Sequence, residues 1–337
     1  MNTKIIAFFN NKGRVGKTSL VYHLAWMYNE LNLRVVVADL DPQAHLTAAF
    51  LDEDRLEELW PDGNHPHTIF GCVQPLIKGI GDIAEPHLEY VEDLLANENL
   101  ALLVGDLSLS SFEEQLSEVW PKCMDGDERA FRVISAFWRV MQKTAVVHQA
   151  DLILVDLGPN LGAINRAALI AADYVVMPLS PDLSSLQGLQ NLGPTLRRWR
   201  KNWKDRLHHN PANDLVLPQG QIQPIGYVVL QHPARLDRPV NLYNRCLARI
   251  PNVYREAVLA EPVDNHLSVA DDPHCLALVK NYHSLMPMAQ EARKPMFHLK
   301  PADGALGAYA TAAKKVYRDF QKLADKIAER TSATKLK

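Results

Sequence analysis

The chain has 337 residues, 47% of them apolar and 22% charged, with a formal net charge of −3 at neutral pH. These values exclude collagen-like and wholly disordered chains and allow one large α/β domain or two smaller ones. Cys72, Cys123, Cys246 and Cys275 stand far apart with no Cys-x-x-Cys pair, which argues against a disulfide framework or zinc knuckle and fits a reducing cytosol. The first apolar run, Ile5–Phe9, is stopped by Asn10 and Asn11. It is too short for a membrane span, and no secretory signal follows from it.

Ile5–Phe9 predicts a buried strand, followed by a polar, glycine-bearing turn at Asn10–Gly16. From Lys17 a helix is expected, with Leu20, Leu24, Met27 and Leu31 on one stripe. Arg34–Leu40 is the next strand, apolar on both faces. Strand, turn, helix and strand at this spacing form a βαβ unit in a parallel sheet covered on both sides. Further strands are expected at Leu100–Val104, Leu152–Val155, Tyr174–Pro178 and Ile225–Leu230. Helices are expected at Ala130–Thr144, Leu161–Ala172, Leu186–Trp203 and Leu306–Arg330. The pattern is that of an α/β fold with a doubly wound, mostly parallel sheet. Asn210–Pro224 reads as a loop, and Asp52–Pro66 and Asp125–Arg129 as surface insertions. Charge is segregated: residues 51–130 hold nineteen Asp or Glu against four Lys or Arg, and the rest of the chain is net basic.

Three segments carry chemistry. The strongest is Asn11-Lys12-Gly13-Arg14-Val15-Gly16-Lys17-Thr18, followed by Ser19. A loop that leaves a buried strand and enters a helix turns successive backbone N–H groups inward, and the helix N-terminus adds partial positive charge. Phosphate is the natural ligand. Gly16 lets the backbone approach, Lys17 offers an ammonium to the β- and γ-phosphates, and Thr18 offers a hydroxyl to Mg²⁺. The second is Asp39-Leu40-Asp41-Pro42-Gln43, two carboxylates at i and i+2 where a strand ends and ligands bind in open α/β sheets. One could hold metal-bound water and the other orient an attacking water. The third is Val155-Asp156-Leu157-Gly158-Pro159, an apolar strand that brings a carboxylate to the Mg²⁺ shell, with Gly158 placed to sense a γ-phosphate.

Together these segments resemble the deviant Walker A ATPases of the ParA/MinD class, most of all ParA-type partition ATPases. Lys12 matches the family's extra signature lysine, Asp39 to Gln43 its Asp-x-Asp-Pro-Gln segment, and Val155 to Pro159 its Walker B. Pro178 to Leu189 resembles the stretch after Walker B, and Arg293-Lys294-Pro295 the family's Gly-Lys-Pro-Ile ending. The resemblance implies a P-loop NTPase that takes ATP or ADP with Mg²⁺. It implies an ATP-sandwiched homodimer in which Lys12 acts across the interface, Lys17 in cis, Thr18 and Asp156 at the metal and Asp41 on water. Asp39 would support the metal site, and Gln231 would stand near adenine. A partner protein as activator, non-specific DNA as ligand and a cytoplasmic or nucleoid-associated location are further implications.

Arg14 departs from the family, which has glycine there. It adds a cation beside phosphate, a Cβ where the loop needs positive φ, and volume where two subunits meet. ATP binding is therefore expected, with weak ATP-driven dimerisation and slow turnover. The expectation covers a single domain over residues 1–330, acidic insertions within 51–130, and a tail at 331–337. On the Leu186–Trp203 helix and just beyond it, Arg197, Arg198, Arg200, Lys201 and Lys204 form a basic patch suited to phosphate contacts, with Trp199 and Trp203 packing inward. Val316, Phe320, Leu323 and Ile327 form an apolar stripe on the last helix, expected to dock on the sheet rather than on a membrane. Two alternatives remain, an ATP-binding adaptor with little turnover and a MinD-like membrane-cycling ATPase.

Overall fold

The computed structural model describes residues 2–91, 98–230, 240–264, 266–280, 282 and 285–331. Eight strands form one sheet: β1 (Lys4–Phe8), β2 (Val35–Asp39), β3 (Glu89–Tyr90), β4 (Leu100–Leu103), β5 (Leu152–Asp156), β6 (Tyr174–Leu179), β7 (Gln223–Leu230) and β8 (Cys275–Val279). Their order is β3-β4-β2-β5-β1-β6-β7-β8. Every pairing is parallel except that of the short β3 with β4. The expected doubly wound α/β fold is thus present.

Alternation along the strands divides the core in two. Ile5, Ala7, Val36, Ile153 and Val155 face one layer of helices, which includes Ala136–His148, Ala163–Ala171 and Leu183–Leu207. Ile6, Phe8, Val35, Val37 and Leu154 face the other, which includes Lys17–Glu30 and Ala308–Thr331. Because both faces are covered, the strands read as continuous apolar runs instead of alternating ones. The Lys17–Glu30 helix is buried over almost its whole length from Leu20 to Asn29. Its expected single stripe is therefore only part of its packing, and the helix stops at Glu30, before Leu31.

The last helix spans Ala308–Thr331, and Val316, Phe320, Leu323 and Ile327 are buried. It docks on the Lys17–Glu30 helix, where Tyr28 Oη donates to the Ala324 carbonyl (3.2 Å). Among the described residues no helix is long and apolar enough to cross a membrane. All four cysteines are buried free thiols.

Several boundaries differ from the sequence expectation. The single helix expected over Ala130–Thr144 is divided between two, Glu128–Ile134 and Ala136–His148. The break falls at Ser135, whose hydroxyl donates to the Phe131 carbonyl (2.7 Å) and accepts from Arg139 Nε (3.2 Å). A serine that bonds back to the preceding turn bends or ends a helix. Asp127, within the expected 125–129 insertion, is the cap of the first of these helices. The 51–130 stretch is likewise part of the sheet and its cover. It supplies β3, β4 and the Ile69–Lys78 and Phe112–Lys122 helices. Many of its carboxylates face local cations: Asp82 meets Arg132 and Arg139, and Glu89 meets Arg55.

One buried histidine ties three elements together. His23 Nδ1 donates to the Ser19 carbonyl (2.7 Å) and its Nε2 accepts from Met296 N (3.1 Å), while its ring stacks on Phe320 (5.1 Å). Burial lowers its pKa to about 4. The folded state therefore refuses a proton that the unfolded chain takes up near pH 6.5, so this residue's contribution is full above pH 6.5 and is lost as pH falls toward 4. The loss is on the order of 3 kcal/mol. Thermal unfolding of wild type and His23→Gln across this range should show a variant that is less stable at pH 7 but has a flatter pH dependence. Parallel curves would remove His23 as a source of acid sensitivity.

Candidate active site: a phosphate loop against buried carboxylates

Residues 9–16 join β1 to the Lys17–Glu30 helix at the C-terminal edge of the sheet. Asn10 pins this turn, with Nδ2 donating to the Pro178 carbonyl (2.7 Å) and Oδ1 accepting from Lys12 N (2.9 Å). Gly16 takes a left-handed φ of 87°, and a Cβ there would stand 3.0 Å from Leu230 Cδ1. Glycine is thus required on conformational and steric grounds. Arg14 also takes a left-handed φ, 58°, and is exposed. For a side chain of this kind that conformation costs about 1 kcal/mol. Val15 is fully buried, and Gly13 approaches Pro159.

Parallel register sets Asp39 of β2 beside Asp156 of β5. Both side chains are completely buried, and burial raises the pKa of each carboxyl. Asp39 directs both oxygens at protein donors. Oδ2 accepts from Thr47 N (2.8 Å) and Thr47 Oγ1 (2.9 Å), and Oδ1 accepts from Asp41 N (3.3 Å). Asp156 Oδ2 accepts from Thr18 Oγ1 (2.6 Å). Its other oxygen, Oδ1, is buried and has no hydrogen-bond partner among the described residues. An unpaired buried carboxylate oxygen is costly unless a cation or donor meets it. Beside a hydroxyl, it fits a hard, oxygen-seeking cation such as Mg²⁺.

Lys17 is buried as well, and its Nζ donates to the Lys12 carbonyl (3.4 Å). Burial lowers its pKa, opposed by the charges of Asp156 and Asp41. Asp41 is 8% exposed, accepts from Gln43 N (3.0 Å) and borders a large cavity. Gly158 lies against it: a Cβ there would be 3.1 Å from Asp41 Oδ1. Lys12 does not project freely. It is ion-paired with Asp182, which also caps the Leu183–Leu207 helix through Ser185 N (2.9 Å).

The cavity has a volume of about 710 Å³ and is lined by Gly13 to Ser19, Asp41, Gln43 and Pro159. Arg293 and Lys294 line it from the far end of the sequence, and Lys294 is held by Asp303 (2.8 Å). A second cavity of about 340 Å³ adjoins it beyond Gly16, with Leu230, Val279, Met286 and Phe320 among its walls. Arg14, Ser19, Met286 and Gln290 border both. Gln231, the expected adenine neighbour, lies outside the described residues. Asn11 is half-buried near Gly188 and lines a separate shallow cleft with Lys12.

The expected basic patch is only partly open. Arg198, Arg200, Lys201 and Lys204 are exposed, and Trp199 and Trp203 are buried. Arg197 is turned inward and donates to the Ala257 (2.5 Å) and Val258 (2.9 Å) carbonyls at the end of the π-helix Tyr254–Leu259.

Residues 3–209 match the AAA_31 family, described as an AAA domain, and the chain belongs to that family. Its relatives support the ParA/MinD-type partition ATPases, a class of P-loop ATPases, as its place within it. The chain is 28% identical to protein IncC of Escherichia coli over 80% of this chain and 60% of IncC. It is 27% identical to the sporulation initiation inhibitor protein Soj of Bacillus subtilis over 59% of this chain and 67% of Soj. It is 29% identical to the cell division protein PomZ of Myxococcus xanthus over 60% of this chain and 54% of PomZ. The matched stretch spans 42% to 67% of the length of the first curated relatives. Among solved structures, protein DIP2308 of Corynebacterium diphtheriae has a TM-score of 0.71 at 21% identity, covering 97% of this chain and 98% of that one. An ATP complex of Cyanothece McdA has a TM-score of 0.61 at 15% identity, covering 99% and 98%. An AMPPNP-bound putative plasmid partition protein of Borrelia burgdorferi reaches 0.57 at 18% identity, covering 97% and 99%. These likenesses show a shared fold.

Sequence reasoning missed Asp182 and did not assign Arg293 and Lys294 to the cavity. Asp182 had a local signal, an Asp followed three residues later by a serine at a helix start, but its link to Lys12 spans 170 residues. If the loop binds nucleotide phosphates, Lys17→Ala removes a buried, charge-assisted contact worth about 1.5–3 kcal/mol. Binding of a fluorescent ATP analogue should weaken by about 10- to 100-fold. Equal affinity in the variant would make the phosphate-loop assignment wrong.

Proposed function

We propose that the chain binds ATP or ADP with Mg²⁺ at the phosphate loop and hydrolyses ATP slowly, as a ParA-type nucleotide switch that partitions or positions DNA or another cargo. The observation that carries this reading is the convergence of Lys17, Thr18 and Asp41 on one cavity at the C-terminal edge of the sheet, with Asp156 buried behind Thr18 as its hydrogen-bond partner. In this reading Lys17 and the loop N–H groups from Gly13 to Ser19, which line the cavity, hold the phosphates. Thr18 and Asp156 would hold Mg²⁺, which when bound neutralises phosphate charge. Asp39 supports the site by fixing the backbone of Asp41. Asp41 accepts a hydrogen bond from water and orients it for attack. The second cavity, with Leu230, Val279 and Phe320 in its walls, suits the base, with Gln231 as a further candidate contact.

Lys12 acts across a homodimer only after leaving Asp182, an ion pair 25% and 14% exposed on its two sides. Arg14 stands exposed at the phosphate cavity, so two subunits closing on their nucleotides would bring two guanidiniums together. Steric and like-charge opposition weakens that dimer. The open cations Arg198, Arg200, Lys201 and Lys204 suit non-specific DNA through phosphate contacts. A partner protein that recognises the ATP-bound state fits the slow intrinsic turnover.

Two measurements test this reading. Asp41→Ala should still bind ATP while hydrolysing it slower by a factor on the order of 10² or more; unchanged turnover would take Asp41 out of the mechanism. On that non-hydrolysing background, light scattering with ATP should show a tighter dimer when Arg14→Gly is added. Identical dimers with and without the change would mean that Arg14 is accommodated.

A further inference from the structure

The loop that walls Asp41 is held in place by a residue far from it in sequence. Residues 158–162 follow Asp156, and the Ala163–Ala171 helix begins directly after them. Asn165 Nδ2 donates to the Gly158 and Asn160 carbonyls (2.8 Å each), so this helix and the loop move as one body. The helix has no cap of its own, because Gly162 occupies the cap position. The cap comes instead from the Phe112–Lys122 helix. Glu113 accepts from Ala163 N with Oε1 (2.5 Å) and from Ile164 N with Oε2 (2.8 Å). Two backbone donors left open by the helix start thus meet one carboxylate, placed where the helix dipole favours negative charge. A Cβ on Gly162 would stand 2.5 Å from Glu113 Oε1, so glycine there makes room for the clamp.

The same helix carries a second contact. Arg166 donates to the Leu116 carbonyl (3.1 Å) and lies over the Trp120 ring at 4.4 Å. Trp120 also receives Arg206 at 4.0 Å and stacks on Trp203 at 6.2 Å. Phe112–Lys122 therefore holds the start of the Ala163–Ala171 helix through its first turn and the C-terminal end of the Leu183–Leu207 helix through Trp120.

We propose that Glu113 is a positioning residue for nucleotide hydrolysis: by capping the Ala163–Ala171 helix it sets Gly158 against Asp41. The inference rests on the ATPase reading above. Without the clamp the loop relaxes and the wall beside Asp41 is lost, while the phosphate loop, anchored on β1 and β6, keeps its hold on nucleotide. Turnover should fall and nucleotide affinity should stay.

The test uses the full chain with Glu113→Ala and Glu113→Gln, the second keeping one accepting oxygen. ATP turnover, affinity for a fluorescent ATP analogue and hydrogen exchange are measured together. Glu113→Ala should lower kcat about tenfold or more with affinity within about twofold, and Glu113→Gln should lie between it and wild type. Exchange should rise at residues 158–164 and stay unchanged at residues 12–18. Unchanged kcat with a cooperatively folded Glu113→Ala overturns the proposal, as does an equal loss of kcat and affinity. A wild type that binds nucleotide but never turns it over would defeat the hydrolysis reading instead. Exchange then decides the clamp, and unchanged exchange at residues 158–164 in both variants overturns it.

Discussion

Two carboxylates buried side by side set the terms for the rest of the site. The register of β2 and β5 fixes Asp39 next to Asp156, both out of water, where like charges raise each other's cost. The fold gives them different partners. Asp39 is absorbed by Thr47 and the backbone of Asp41, and Thr47 in turn accepts from Gly105 N at the end of β4 (2.8 Å). Asp156 is met on one side by Thr18 and left open on the other, among the described residues. Lys17 comes to this corner from the phosphate loop, where burial lowers its pKa and the charges of Asp156 and Asp41 partly oppose that. A site built this way is incomplete by itself, and a divalent cation with phosphates would satisfy it.

The elements that place this corner were legible in the sequence. Each central strand is a short apolar run ended by a polar residue, and Gly16-Lys17-Thr18 sits between the first run and a helix. The two Asp-bearing strand ends could be read for the same reason. A carboxylate that closes an apolar strand beside a phosphate loop stands where a metal or an attacking water has to be held. What could not be read depends on contacts distant in sequence. Arg197 shares a helix face with Lys201 and Lys204, and nothing in that pattern reveals that two carbonyls of a π-helix come down on it. Glu113 looks like one acid among nineteen in its stretch, yet it caps a helix 50 residues on. β8 is different: Cys275–Val279 is a continuous apolar run before Lys280, so a signal was present and was overlooked. The two residues of β3 carry no periodicity at all.

The acidic stretch takes on a structural meaning in this light. It closes one edge of the sheet with β3 and β4 and covers one face, and two of its carboxylates, Glu89 and Asp82, are paired with Arg55, Arg132 and Arg139. The exposed cations of the Leu183–Leu207 helix lie at the far end of an element whose first turn is capped by Asp182, the partner of Lys12. The partner of Lys12 and the basic face thus stand at opposite ends of one helix.

The central claim is that the open oxygen of Asp156 makes nucleotide binding depend on a divalent cation. The direct measurement is ATP affinity with and without Mg²⁺ in wild type and in Asp156→Asn, which keeps the shape and removes the charge. The account predicts that Mg²⁺ tightens ATP binding in wild type by about tenfold or more, equivalent to about 1.4 kcal/mol, and has little effect in the variant. The same Mg²⁺ enhancement in both proteins would contradict it.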